Sequence, residues 1–123
     1  MLVPEPFRAW SYRMARFTLL LIGGNFDELS AAETEAAYGK YYAWTKKLRE
    51  EGRYVNAEEL ESKGKIVRPG LVSDGPYVES KEALGGYYTV NAESLDDAVE
   101  LAKTCPQLEY GGYIDVRPVI DHS

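Results

Sequence analysis

Residues Phe17 to Ile22 are apolar but for Thr18, and Gly23-Gly24-Asn25 follows with residues suited to a sharp turn, so a strand is predicted over Arg16–Gly23. Apolar side chains on both of its faces predict a central strand covered on both sides. Ser30-Ala31-Ala32-Glu33 then fits a capping box, in which serine and glutamate each satisfy a free backbone donor of a first helical turn. In the helix that should follow, Ala37, Tyr41, Trp44 and Leu48 recur on one face, while Glu35, Lys40, Lys46, Lys47 and Glu50 occupy other angles. That face is predicted to pack on a sheet, and Gly52 to stop the helix.

Tyr54 and Val55 favour a strand from Arg53 to about Glu59. Ser62-Lys63-Gly64-Lys65 reads as a turn into a short strand at Ile66-Val67-Arg68 closed by Pro69-Gly70, which predicts a hairpin. Tyr87 to Asn91 is strand-like, and Ser94-Leu95-Asp96-Asp97 gives a second capping signature. Leu95, Ala98, Val99 and Ala102 match one helical face, and Pro106 ends that helix. From Tyr113 to Ile120 the chain alternates, with Ile114, Val116 and Ile120 pointing one way and Tyr113, Asp115 and Arg117 the other.

The order β-α-β-β-β-α-β is most economically an α+β, ferredoxin-like domain with two helices on one face of an antiparallel sheet. The other face then carries tyrosine, aspartate and arginine side chains beside apolar residues of the central strand. Pairing two such faces buries the apolar part and encloses the polar part, so a homodimer with an interfacial pocket is expected, Asp115 and Arg117 lining it.

At 123 residues and 13.8 kDa the chain has the size of one domain and can bury roughly two-thirds of its unfolded surface. Residues 14–120 are read as that domain, 1–13 as an irregular extension broken by Pro4 and Pro6, with Met14 an alternative start, and 121–123 as a tail. Twenty acidic against 14 basic residues give a net charge of -6, which disfavours nucleic acid and anionic membrane as partners. Arg13 and Arg16 ahead of the run at Phe17 raise a signal peptide as an alternative, but the run is shorter than the usual apolar region of about 7–15 residues. No stretch reaches the roughly 20 apolar residues of a membrane span. Cys105 is the only cysteine, which excludes an intrachain disulfide and fits a reducing, cytoplasmic compartment. One histidine, one cysteine and no spaced carboxylate cluster predict no metal and no cofactor.

The polar segment Asp74 to Gly86 carries the most information. Asp74 suits an Asx-turn, Pro76 disfavours helix at Gly75, and Gly85-Gly86 permit a sharp turn or a close approach to a ligand. Between them Tyr77, Glu79, Lys81 and Glu82 offer an aromatic ring and both charge signs, for a polar ligand or for exposed ion pairs. Tyr41, with Tyr38, Tyr42, Tyr87, Tyr88 and Tyr113, can line an aromatic cavity or pack with its hydroxyl at the surface. Cys105 before Pro106 reads as a small buried hydrophobe. His122 stands next to the last residue numbered, where firm positioning is not expected.

Val72-Ser73-Asp74-Gly75-Pro76-Tyr77-Val78-Glu79-Ser80-Lys81-Glu82 with Leu84-Gly85-Gly86-Tyr87 resembles the signature of the YCII-related family of DGPF type, Tyr77 standing where the family has phenylalanine. Gly111-Gly112-Tyr113-Ile114-Asp115-Val116-Arg117-Pro118-Val119 and Cys105-Pro106 resemble it too, so the likeness covers about residues 14 to 120. The resemblance implies a ferredoxin-like subunit of a dimeric α/β barrel, similar to muconolactone isomerase-like proteins, with no settled activity. It also implies Asp74 as the aspartate of a catalytic His–Asp pair whose histidine has no counterpart here.

Two readings stand side by side. One is a binding protein, non-catalytic or of unknown activity, that holds a small polar ligand between dimerised sheets through Tyr41, Tyr77, Glu79, Lys81, Glu82, Asp115 and Arg117. The other is an isomerase- or lyase-like enzyme using Asp74 for acid–base chemistry.

Overall fold

A computed structural model describes residues 14–75 and 83–123 of the chain. Strand β1 (Ala15–Gly23) leads through a 3-10 turn at Phe26–Glu28 to helix α1 (Ala31–Glu50), followed by β2 (Tyr54–Glu59). The strands β3 (Gly64–Arg68) and β4 (Leu71–Gly75) come next, then β5 (Leu84–Ala92) and helix α2 (Leu95–Ala102). A second 3-10 turn at Pro106–Tyr110 enters β6 (Gly112–Pro118). Four strands form one antiparallel sheet in the order β2-β5-β1-β6, and β3 and β4 form a separate two-stranded ribbon. This is the expected α+β, ferredoxin-like arrangement with one strand more than the sequence pattern predicted. The extra strand is β4, which pairs with β3 across the Pro69-Gly70 turn.

Local sequence starts and stops α1 where expected. Ser30 Oγ accepts from the Glu33 N–H at 3.1 Å while Glu33 accepts from the Ser30 N–H at 2.9 Å, closing both halves of the capping box. The Ser30 N–H bond to its carboxylate favours the ionised form of Glu33 and lowers its pKa. At the other end Gly52 takes a left-handed φ of 71°, and the Gly52 and Arg53 N–H groups bond to the Arg49 and Leu48 carbonyls as a Schellman closure.

The helices cover one face of the sheet. Phe17, Leu19 and Leu21 of β1 and Tyr88, Val90 and Ala92 of β5 meet Trp44 and Leu48 of α1 and Ala98, Leu101 and Ala102 of α2, with Cys105 beside them. Leu19, Leu48 and Val90 are fully buried, each worth about 1.5–3 kcal/mol in removed apolar surface. Polar tips in this layer find partners: Trp44 Nε1–H donates to Thr104 at 2.9 Å, and Thr45 donates to the Tyr41 carbonyl at 2.8 Å. With its proton so used, Thr45 accepts from Tyr88 at 2.6 Å.

Two details differ from the periodic pattern. In α2 the buried face is Ala98, Leu101 and Ala102, while Leu95 and Val99 are exposed. The start of this helix is set by Ser94, whose Oγ accepts from the Asp97 N–H at 3.0 Å. Asp97 accepts instead from the Glu93 N–H and from Arg53 at 2.7 Å, which ties α2 to the chain after α1. Ile120 is exposed, because β6 ends at Pro118 and the alternation no longer places side chains on the core.

Gly85 and Gly86 lie inside β5 rather than in a turn before it. At Gly86 the close approach is to the protein's own backbone: a Cβ there would sit 2.6 Å from the Glu58 carbonyl of β2. Among the described residues no helix is long and apolar enough to cross a membrane. The N-terminal extension at residues 1–13 lies outside the described residues.

Candidate functional site

Alternation along β1 turns Thr18, Leu20 and Ile22 away from the helices, and register assembles their neighbours. Thr18 lies between Thr89 of β5 and Arg117 of β6, Leu20 between Tyr87 and Asp115, and Ile22 opposite Tyr113. Thr18, Leu20, Ile22, Tyr87, Thr89 and Asp115 are all half-buried. The outer face is thus an apolar floor of Leu20, Ile22 and Tyr87 crossed by a polar strip.

Within that strip Arg117 donates from Nε at 3.1 Å and from Nη2 at 2.8 Å to the same oxygen of Asp115, two residues away on the same side of β6. The bond from Arg117 lowers the Asp115 pKa, and the carboxylate raises that of Arg117 in return, so both are charged across the neutral range. The Thr18 and Thr89 hydroxyl oxygens are 3.5 Å apart. Arg117 keeps a largely exposed side chain, 67% accessible against 34% for Asp115, so the guanidinium can meet an incoming anion while its aspartate holds it in place.

Tyr41 belongs to the opposite side of the sheet. Its hydroxyl donates to Gln107 Oε1 at 2.5 Å between α1 and the second 3-10 turn, and its ring stacks 6.3 Å from that of Tyr88. Burial first, then the neighbouring Cys105 thiol, push its pKa up. The structure therefore separates Tyr41 from Asp115 and Arg117 by the thickness of the sheet.

Gln107, which the sequence pattern did not single out, is the buried polar residue of this layer. Its amide Nε2 donates to the Ile22 carbonyl at 3.1 Å and to the Gly23 carbonyl at 3.0 Å, pinning the end of β1. Gly112 makes room for it, since a Cβ at that position would lie 2.5 Å from Gln107 Nε2. The one sequence signal was the pair Gly111-Gly112 five residues downstream. Cys105, buried beside it, has its thiol pKa pushed up to about 11 by burial.

Asp74 is not in a turn. It sits in β4 opposite Lys65 of β3, its exposed carboxylate paired with the Lys65 ammonium. The Asx-turn reading fails because Asp74 stands in a strand against Lys65, which takes its carboxylate, and the residue two positions on is Pro76, which has no N–H to give such a turn. Tyr77, Glu79, Lys81 and Glu82 lie outside the described residues. His122 is exposed. Among the described residues no three His, Cys, Asp or Glu side chains are grouped to hold a metal ion.

The sheet order, the helices on one side and the polar-striped face on the other define a ferredoxin-like α+β protein. The chain belongs to the YCII-related family: the family model described as "YCII-related domain" matches residues 18–123. It is also similar to "Uncharacterized protein R00369" of Rhizobium meliloti (strain 1021), with 38% identity over 50 residues. That match spans 40% of each of the two chains.

Proposed function

We propose that this protein binds a small polar organic ligand carrying an anionic group, without transforming it, as a cytoplasmic homodimer whose outer sheet faces enclose the pocket. The observation that carries the reading is the outer face itself: Leu20, Ile22 and Tyr87 form an apolar floor around the Asp115–Arg117 pair, on the side that neither helix covers. An apolar floor with few placed polar groups is the usual make-up of a small-molecule site, and self-pairing of this face would exclude water from it.

The chemistry of the strip supports binding over proton transfer. Asp115 is held ionised by Arg117, which lowers its pKa and leaves it a weak base near neutral pH. The alternative of acid–base catalysis rests on Asp74, whose carboxylate is exposed and paired with Lys65.

Light scattering across the micromolar range, with a thermal-shift screen of small carboxylates and phosphates, tests the proposal. A dimer is expected, which Leu20→Asp converts to monomer. A ligand at 100 times its Kd should stabilise the wild type by about 2.7 kcal/mol, an effect that Arg117→Gln removes. A wild-type monomer throughout, or ligand shifts indifferent to Arg117, would refute the reading. Turnover of the bound compound that Asp74→Asn abolishes would install the enzyme in its place.

A further inference from the structure

The β3–β4 ribbon stands apart from the fold around it. Among the described residues its strands hydrogen-bond to one another and to no third strand. A two-stranded hairpin alone is only marginally stable in water and needs a further layer against one of its faces. Register divides its side chains in two. Ile66 and Ser73, opposite one another, are half-buried, and the Ile66 side chain lies over Gly75, where a Cβ would come within 2.5 Å of it. The other face bears the pair Val67 and Val72, directly opposed and 75% and 61% exposed, beside the exposed Lys65–Asp74 ion pair.

Charge names the partner. Ser62–Gly75 contains three cations, Lys63, Lys65 and Arg68, against one carboxylate, Asp74. The chain as a whole carries -6, so everything outside this segment is more acidic still. A basic ribbon with an exposed apolar pair on an acidic body is complementary to the body of another copy of itself, and two-fold pairing lets each copy supply one ribbon and receive one.

We infer that the β3–β4 ribbon is an intersubunit arm, whose Val67–Val72 face packs on the second copy of the chain. The inference rests on the homodimer of the proposed function and adds a second contact to its paired sheets.

The test uses the full chain carrying Val67→Cys, in which the buried Cys105 is the only other thiol. The rate of iodoacetamide alkylation at position 67 is followed as protein concentration is raised through the dimerisation range. It is expected to fall at least about fivefold on dimerisation and to stay fast in the same variant carrying Leu20→Asp. Val67→Ser with Val72→Ser should weaken the dimer about tenfold or more, and Arg68→Glu should weaken it at low salt only. A dimer whose position 67 is alkylated at the monomer's rate overturns the arm and leaves the sheet-face dimer standing. A wild type that remains monomeric overturns both.

Discussion

Replacing Gln107 by leucine keeps the volume of a buried side chain and removes all of its hydrogen bonding. The Ile22 and Gly23 carbonyls lose the amide that reaches them at 3.1 and 3.0 Å, and the Tyr41 hydroxyl loses its acceptor. Each buried polar group left without a partner costs about 1–3 kcal/mol. Tyr41 is only partly buried and can turn toward water, so the sum falls near the low end, at about 3 kcal/mol. With about 2.1 cal/mol/K of unfolding entropy per residue over 123 residues, that is a fall in Tm of about 12 °C. Circular dichroism melts of the wild type, Gln107→Leu and Gln107→Glu give the readout. The glutamate keeps an acceptor for Tyr41 but near neutrality sets a carboxylate against two carbonyls, so it should be at least as destabilised. It should recover as pH falls and the protonated carboxyl regains a donor. Gly112→Ala pushes on the same amide, so the double substitution with Gln107→Leu should cost at least about 1 kcal/mol less than the two costs added. A leucine variant melting within about 3 °C of the wild type, or strict additivity with Gly112→Ala, would show that Gln107 does not hold the end of β1.

Two further outcomes follow from single groups. Burial raises the Cys105 pKa from 9.0 to about 11, so the unfolded chain releases this proton first and stability falls as pH rises through that window. Chemical denaturation should show a loss of about 1 kcal/mol between about pH 8 and about pH 10, with a flatter limb in Cys105→Ala; equal slopes refute the assignment. Asp97 accepts from both Arg53 and the Glu93 N–H, so Asp97→Ala should cost about 2 kcal/mol in urea denaturation while Asp97→Asn, which keeps an acceptor, costs less; equal losses would mean that charge alone matters.

Features confined to a few consecutive residues were legible in the sequence. Ser30 and Glu33 close their capping box within one turn, and Ala37, Tyr41, Trp44 and Leu48 share a helical face whatever they pack on. The outer-face strip was legible too, because alternation in β6 fixes that Asp115 and Arg117 point together. Gln107 was not, since its partners Ile22, Gly23 and Tyr41 are remote in sequence and nothing local marks it as buried. Asp74 misled for a related reason. Asp-Gly-Pro carries strong turn propensity, but pairing with Lys65 and Gly64 across the β3–β4 turn overrides it. Nor could α2 reveal by its period alone that Leu101 faces inward and Leu95 does not, as both choices give an apolar stripe.

The register of β2 on β5 continues to the point where the Leu60 N–H bonds to the Gly85 carbonyl at 2.9 Å. Residues 61–84 are therefore a detour between two neighbours already in contact. The entropy of closing such a loop grows only with the logarithm of its length, so exchanging this detour for a short turn changes that entropy by only about 1–2 kcal/mol. The Asp74–Gly75 end of the ribbon lies within the detour, whereas the core and the Asp115–Arg117 strip lie wholly outside it. The stretch between β2 and β5 can thus be rewritten or shortened almost independently of the scaffold that carries it.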